Sequence, residues 1–171
     1  MIPSARANGE RSSVVGLLGR DHARLDGLLR AATAGATVDT AAYELFRAGL
    51  LRHIGIEEKI LIPFVRSRLS EPALAVAKQL RLDHGALAAL LVPAPTPEIA
   101  EQLQALLAGH NALEEGEGGF YDVCMRLAAA DEQTLLGRIT AAPPVPLAAH
   151  YDGPRALANI TRLLRAAGRI P

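Results

Sequence analysis

Over several long stretches, the apolar residues of this chain recur at intervals of three, four or seven, which is the spacing of one face of an α-helix. Half of the 171 residues are apolar, but only 4% are aromatic. This composition favours packed helices over a sheet, which would require more β-branched and aromatic residues. The sequence therefore predicts an all-α fold.

Capping and helix-breaking residues predict where the helices begin and end. Asp39 or Thr40 is a candidate N-cap of the second helix, and Pro63 predicts a kink inside it. Glycines at 116, 118 and 119 weaken the fourth helix, which can resume over 120–129. The helices are predicted over 11–34, 39–68, 70–91, from 97 onward, over 131–141 and over 154–168.

Four main helices joined by short turns predict an antiparallel up-down four-helix bundle over residues 11–130. Prolines between 143 and 154 forbid helix and sheet there, so this segment is predicted to be an extended connection. Residues 131–171 are then a C-terminal extension, ending in a helix, that packs on the bundle.

Charge and cysteine content narrow the classes of partner. Eighteen basic and eighteen acidic side chains cancel, and no basic stripe is visible, so a nucleic-acid partner is not expected. A single cysteine, Cys124, allows no internal disulfide. The N-terminal segment lacks the apolar run of a signal peptide, and no run of eighteen apolar residues occurs. We expect a soluble cytoplasmic protein with no membrane partner, and a homo-oligomer is possible.

Four of the five histidines fall one per main predicted helix, each on the apolar face. A single histidine in such a place is usually a hydrogen-bonded core residue. A buried imidazole needs a partner on each nitrogen, however, and an apolar core offers few. Four of them, one from each wall of a bundle, favour a shared polar site. These residues are His22, His53, His84 and His110.

A carboxylate follows two of these histidines at the fourth position. The segment HIGIEE begins at His53 and the segment HNALEE at His110, so Glu57 and Glu114 share a helix face with them. Imidazole and carboxylate without thiolate suit Fe, Mn or Zn. Six ligands are too many for one tetrahedral Zn, whereas two ions that share two bridging carboxylates fit the number. The pattern predicts a dinuclear metal site.

These segments resemble the hemerythrin-like, or HHE cation-binding, family. The resemblance rests on RDHARL around His22, HIGIEEKILIP from His53, LDHGAL around His84 and HNALEE from His110, and it spans roughly residues 11–130. It implies a four-helix bundle around two Fe ions, in a non-haem di-iron centre that binds dioxygen reversibly, or senses or handles iron, oxygen and related small oxidants. It also implies that the four histidines are terminal ligands and that Glu57 and Glu114 are bridges.

The chain departs from the pattern of oxygen-carrying hemerythrins on the third helix. Those proteins have a second histidine there, four residues from the first, whereas Leu80 and Ala88 stand four before and four after His84. A ligand is therefore missing. Water is one candidate for its place, and the protein candidates are Asp26, Glu117 and His150.

Other polar residues near these segments are predicted to have lesser roles. Glu58 and Glu115 lie about 100° around the helix from the ligands, and we expect them to be exposed or adjacent to the ligands. The three tyrosines, at 43, 121 and 151, could line the site, but nothing in their spacing requires it, and packing is their expected role. Cys124 is expected to be a buried small apolar residue.

Two other functions remain open at this point. The same centre could serve a di-iron redox enzyme that acts on peroxide or nitric oxide, so catalysis is left undecided. Alternatively, the chain could be a metal-free or zinc-stapled helical module that binds a partner protein through its tail from about residue 143 onward.

Overall fold

The computed structural model describes residues 13–68 and 71–171, and for residues 71–74 the backbone only. The predicted first residues of the first and third helices, 11 and 70, lie outside the described residues, as does the N-terminal segment. The all-α prediction is confirmed, because the described residues contain helices and no strand. In chain order these are α1 (Val14–Ala32), α2 (Thr40–Ile56), a π-helical turn (Glu57–Leu61), α3 (Ile62–Arg66), α4 (Glu71–Leu90), α5 (Pro97–Glu115), α6 (Phe120–Ala128), α7 (Glu132–Thr140) and α8 (Pro154–Ala166).

Side-chain caps define where three of the long helices begin. The Ser13 hydroxyl accepts a hydrogen bond from the Gly16 N–H at the start of α1. Asp39, one of the two predicted caps, accepts from the Ala42 N–H at the start of α2. Thr96 does the same for α5, whose first residue is Pro97. Each cap satisfies a backbone donor that has no partner inside the helix.

The predicted irregularity near Pro63 takes the form of the π-helical turn. Pro63 lies in the first turn of α3 and has no N–H to donate to the preceding turn. Just before it, the Ile62 N–H donates to the carbonyl of Glu57, five residues earlier. The helix is therefore locally wider over Glu57–Leu61 and continues in a new register beyond it.

Helix packing buries two apolar clusters. α1 packs against α2, α5 packs against α4 and α6, and α8 packs against α4. One cluster includes Leu25, Leu50 and Leu106 and takes in Ile160 and Leu164 of α8. The other includes Leu18, Leu80 and residues of α6 and α7. Within the described part of the chain, no helix has the length and apolar character needed to cross a membrane.

Candidate metal centre

The four predicted histidines form a buried polar layer between the two apolar clusters. On α1, Leu18 before His22 belongs to one cluster, and Leu25 after it belongs to the other. On α4, His84 lies between Leu80 and Leu87 in the same way. All four imidazoles are at most 7% exposed. Because these polar groups are removed from water, they must satisfy one another or bind something else.

Their ring nitrogens and two carboxylates form two groups of possible metal ligands. Within each group, one donor atom of every residue lies within 4.8 Å of the donor atoms of the others. Glu57 and Glu114 belong to both groups and are fully buried. The first group is His22, His53, Glu57 and Glu114, and the second is His84, His110, Glu57 and Glu114.

Each of the two carboxylates directs one oxygen to each histidine pair. Oε1 of Glu57 lies 3.5 Å from Nε2 of His53, and its Oε2 lies 3.1 Å from Nε2 of His84. Oε2 of Glu114 lies 3.3 Å from Nε2 of His22, and its Oε1 lies 3.2 Å from Nε2 of His110. The two groups are therefore joined through both carboxylates.

The other ring nitrogen of each histidine faces a second carboxylate. Nδ1 of His22 is 2.5 Å from Glu115, Nδ1 of His53 is 3.0 Å from Asp21, and Nδ1 of His84 is 2.8 Å from Glu58. Nδ1 of His110 lies 3.5 Å from Asp83, an ion-pair distance rather than a hydrogen bond. His53, His84 and His110 each contact a carboxylate from the preceding one of these helices, which are α1, α2 with its π-helical turn, and α4, respectively. His22 of α1 contacts a carboxylate at the end of α5, which completes the ring. Such partners fix the tautomer and ring orientation of metal-binding histidines.

Arginines hold three of these outer carboxylates in place. Arg24 pairs with Asp21 at 2.7 Å, and Arg81 donates to Glu58 at 3.0 Å. Arg169, beyond the end of α8, binds both oxygens of Asp83, at 2.6 and 3.0 Å. Glu58 is adjacent to a candidate ligand, as expected, because it contacts the His84 imidazole, and it also pairs with Arg81.

The carboxylates make the interior favourable for positive charge. Burial alone would lower the pKa of His53, but the charge of Glu57 and the hydrogen bond to Asp21 raise it to about 10. Burial likewise opposes protonation of His110, but Asp83 and Glu114 raise its pKa to about 9. Burial alone would raise the pKa of Glu57, yet the charge of His53 lowers it well below its ordinary value. A cation in this layer would meet the same favourable potential.

Two observations fit a bound metal. Nε2 of His22 lies 2.8 Å from Nε2 of His53, so two ring lone pairs can address one point between the helices. In addition, the buried Oε1 of Glu114 has no hydrogen-bond partner among the described residues, although Nε2 of His110 is nearby. The donors are imidazole nitrogens and carboxylate oxygens, which suit Fe, Mn or Zn. The residues present therefore fit a metal centre of two cations.

The chain matches no protein-family model, no curated protein and no solved structure.

The three further candidate ligands lie outside both groups. Asp26 is exposed and pairs with Arg30 at 2.7 Å. Glu117 is exposed because α5 ends at Glu115 and Gly116 is in an extended conformation, so position 117 leaves the helical register. His150 binds Glu44 through Nε2 and the Val92 carbonyl through Nδ1. None of the three belongs to either group of donors, although Asp26 lines a cavity beside His22 and His53.

Tyr121 does reach the centre, contrary to the prediction that the tyrosines serve packing. Its hydroxyl donates to Oε1 of Glu57 at 2.7 Å, and its ring stacks on that of His22 with centroids 5.8 Å apart. Burial and the charge of Glu57 raise the pKa of Tyr121 well above its ordinary value. The glycines after α5 hide this relation in the sequence, since Tyr121 follows Glu114 by seven residues only across a break. Tyr43 is buried in the core as expected, as is Cys124, whose pKa burial raises to about 12.

Asp21 and Asp83 are outer carboxylates that were not among the predicted site residues. Both immediately precede a histidine, so the dipeptide Asp-His occurs at 21–22 and 83–84, just as Glu-Glu occurs at 57–58 and 114–115. Together these pairs place two Asp-His segments and two Glu-Glu segments around one site. The recurrence of Asp-His was the signal that could have revealed the outer carboxylates.

A cavity of about 260 Å³ borders the first group of donors. His22 and His53 line it together with leucines of α1, α2 and α5, and Asp26, Gln104 and Asn111 add polar groups. A cavity of this size far exceeds the roughly 15 Å³ that one water molecule requires. Small molecules can therefore be accommodated beside the His22–His53 pair.

Proposed function

We propose that this chain is a non-haem di-iron protein of hemerythrin type, which binds or senses dioxygen or a related small oxidant, or handles iron. We further propose that α1, α2 with α3, α4 and α5 form an antiparallel up-down four-helix bundle, with the later helices on its outside. In support, each of these four walls contributes one buried histidine to a single layer. The resemblance of the four histidine segments to the hemerythrin-like family supports iron as the metal.

The observation that carries the proposal is the position of the two shared carboxylates. Glu57 and Glu114 each face one histidine of both pairs, at 3.1–3.5 Å. A single cation would need no carboxylate that spans two imidazole pairs. Two cations a few ångströms apart would need such bridges, both to hold them together and to offset their charge.

The chain's own residues would divide the work of holding such a centre. A bound iron pair supplies reversible electron transfer and an open position for a small oxidant. The four Nε2 atoms would bind it, Glu57 and Glu114 would be the shared ligands, and the outer carboxylates would fix the imidazoles. The two apolar clusters keep bulk water out of the layer. Through the cavity beside His22 and His53, a small oxidant would reach the metal position held by that histidine pair.

Anaerobic loading with ferrous salt tests the proposal. We expect about two irons per chain by elemental analysis of the desalted wild type. The Glu57→Gln variant should hold at most one, because the amide lacks the charge that a bridging ligand provides. Glu101→Gln is the matched control, since Glu101 is an exposed residue of α5.

Exposure of the loaded protein to dioxygen then gives the second readout. Visible absorption that appears in wild type and in Glu101→Gln, but not in Glu57→Gln, is the expected result. A folded wild-type chain that retains no iron after desalting contradicts the proposal outright.

A further inference from the structure

Tyr121 is fixed in the polar layer by its surroundings. It lies in the first turn of α6, is 1% exposed, and packs between the rings of His22 and Phe120. A tyrosine in a core usually directs its hydroxyl toward one partner or toward water. Here the hydroxyl points into the centre instead.

The hydroxyl oxygen touches every donor of the first group. It lies 3.3 Å from Nε2 of His22 and 3.5 Å from Nε2 of His53. It lies 2.7 Å from Oε1 of Glu57 and 3.4 Å from Oε2 of Glu114. These carboxylate oxygens are the two that face His53 and His22, so all four contacts belong to one side of the centre.

These distances are the ones expected between ligand atoms that surround the same metal ion. Donor atoms that lie about 2.0–2.2 Å from a shared cation at right angles to one another are separated by about 3 Å. A phenol that served only as a hydrogen-bond donor has one proton and needs one acceptor. Contact with four donors at 2.7–3.5 Å exceeds that need.

We propose that the Tyr121 oxygen is a fifth protein ligand of the cation held by His22, His53, Glu57 and Glu114. This inference rests on the proposed function and deepens it, because it makes the two metal positions unequal. The position on the His22–His53 side has a hard phenolate ligand, which favours a ferric ion. Coordination releases the phenol proton to solvent as the oxygen–metal bond forms.

A phenolate bound to ferric iron has a specific optical signature, a charge-transfer band in the visible region. The protein is loaded anaerobically with ferrous salt, oxidised fully with ferricyanide and desalted, and its iron content and spectrum are recorded. We expect the band in wild type, and excitation within it should enhance the ring vibrations of tyrosine in the Raman spectrum. The Raman measurement uses the unaltered chain and so does not depend on how any variant folds.

Two substitutions assign the band to one residue. In Tyr121→Phe, which removes only the hydroxyl, the band should fall at least tenfold while iron remains bound. Tyr43→Phe is the matched control, because Tyr43 is equally buried and its hydroxyl has no hydrogen-bond partner in the part of the chain that the structure describes. It should keep the wild-type spectrum.

The possible failures are distinguishable. If wild type binds two irons but lacks tyrosine-enhanced Raman modes, or if Tyr121→Phe keeps the visible band, Tyr121 is not a ligand and the proposed function still stands. If wild type binds no iron, the proposed function itself fails and the ligand assignment fails with it.

Discussion

At the scale of single residues, this centre depends on both ring nitrogens of each imidazole. Nε2 points into the layer and Nδ1 points to an outer carboxylate, so the rings of His53 and His84 cannot turn without losing a partner. For His53 the outer partner is Asp21, which Arg24 holds in turn. The six donors are therefore oriented before a cation arrives, which lowers the cost of binding one.

The outer carboxylates should matter for affinity although they touch no cation. We expect Asp21→Asn to weaken metal binding by about 10- to 100-fold, because a neutral amide polarises and orients the His53 ring less. The dissociation constant from competition with a coloured chelator measures the effect.

Asp26→Asn provides the control for this prediction, and it also tests the predicted ligand Asp26. It makes the same chemical change on the same helix, at an exposed residue that pairs with Arg30. An affinity of Asp21→Asn equal to that of wild type would show that the Asp21 contact has no role in binding, and a loss of affinity in Asp26→Asn would show that Asp26 takes part in it.

At the scale of helices, a segment remote in sequence completes the surroundings of His110. α8 packs on α4, and Arg169 then crosses α5 beside Gly109 to reach Asp83. A Cβ at position 109 would lie 2.6 Å from the Arg169 guanidinium, so glycine leaves the room for this crossing. Asp83 is fully buried, and Arg169 provides its compensating charge.

Loss of the Arg169 charge should therefore destabilise the fold. We expect Arg169→Gln to lower the free energy of unfolding by about 2 kcal/mol, since it removes the cation that bonds to both oxygens of the buried Asp83 carboxylate. Denaturation of the metal-free protein with urea measures this.

Arg162→Gln is the matched substitution on the same segment. Arg162 is exposed on α8 and bonds only to Asn159 among the described residues, so its loss should change the stability by less than about 0.5 kcal/mol. If the two variants unfold at the same urea concentration, the Asp83 pair contributes nothing to stability.

At the scale of the whole molecule, a layer of six ionisable side chains separates two apolar clusters. Without a cation, the layer balances its carboxylates with protonated imidazoles, which is why the pKa values of His53 and His110 rise to about 10 and about 9. With a cation, the metal takes over this charge balance. Folding, metal binding and protonation are therefore linked.

The metal-free protein should lose stability in mild alkali. A histidine whose pKa is raised in the folded state stabilises it fully below the unfolded value of about 6.5, and this contribution is lost as the pH rises through the folded value. We expect the urea midpoint to fall between about pH 7 and pH 9.5. Removal of one such histidine in His53→Gln should flatten this part of the profile, and a flat wild-type profile would contradict the charge balance described above.

Removal of the metal should lower the thermal stability at neutral pH. A ligand present at about a thousand times its dissociation constant adds about 4 kcal/mol, or roughly ten degrees in a domain of this length. The melting temperature with and without a chelator measures this contribution. The chelator should lower the melting temperature of the Glu57→Gln variant by less than that of wild type. An equal decrease in both proteins would show that the chelator does not act through this site.

The sequence by itself determined the helices and most of the centre's donors. Apolar spacing placed the helices, the caps placed their starts, and the repeated His-x3-Glu segments singled out Glu57 and Glu114, because neighbours three and four apart on a helix share a face. Those relations are local, and α-helical geometry fixes them without reference to the rest of the chain.

Only the tertiary structure decided which residues from different helices meet. It brought Tyr121 across a glycine break and Arg169 from the far end of the chain, and it set the outer carboxylates against imidazoles of neighbouring helices. It also left Glu117 and His150 outside both groups of donors. α5 ends two residues before Glu117, and the imidazole of His150 contacts Glu44 instead. Such contacts depend on how helices rotate and approach one another, which the packing of whole apolar faces determines and local spacing does not.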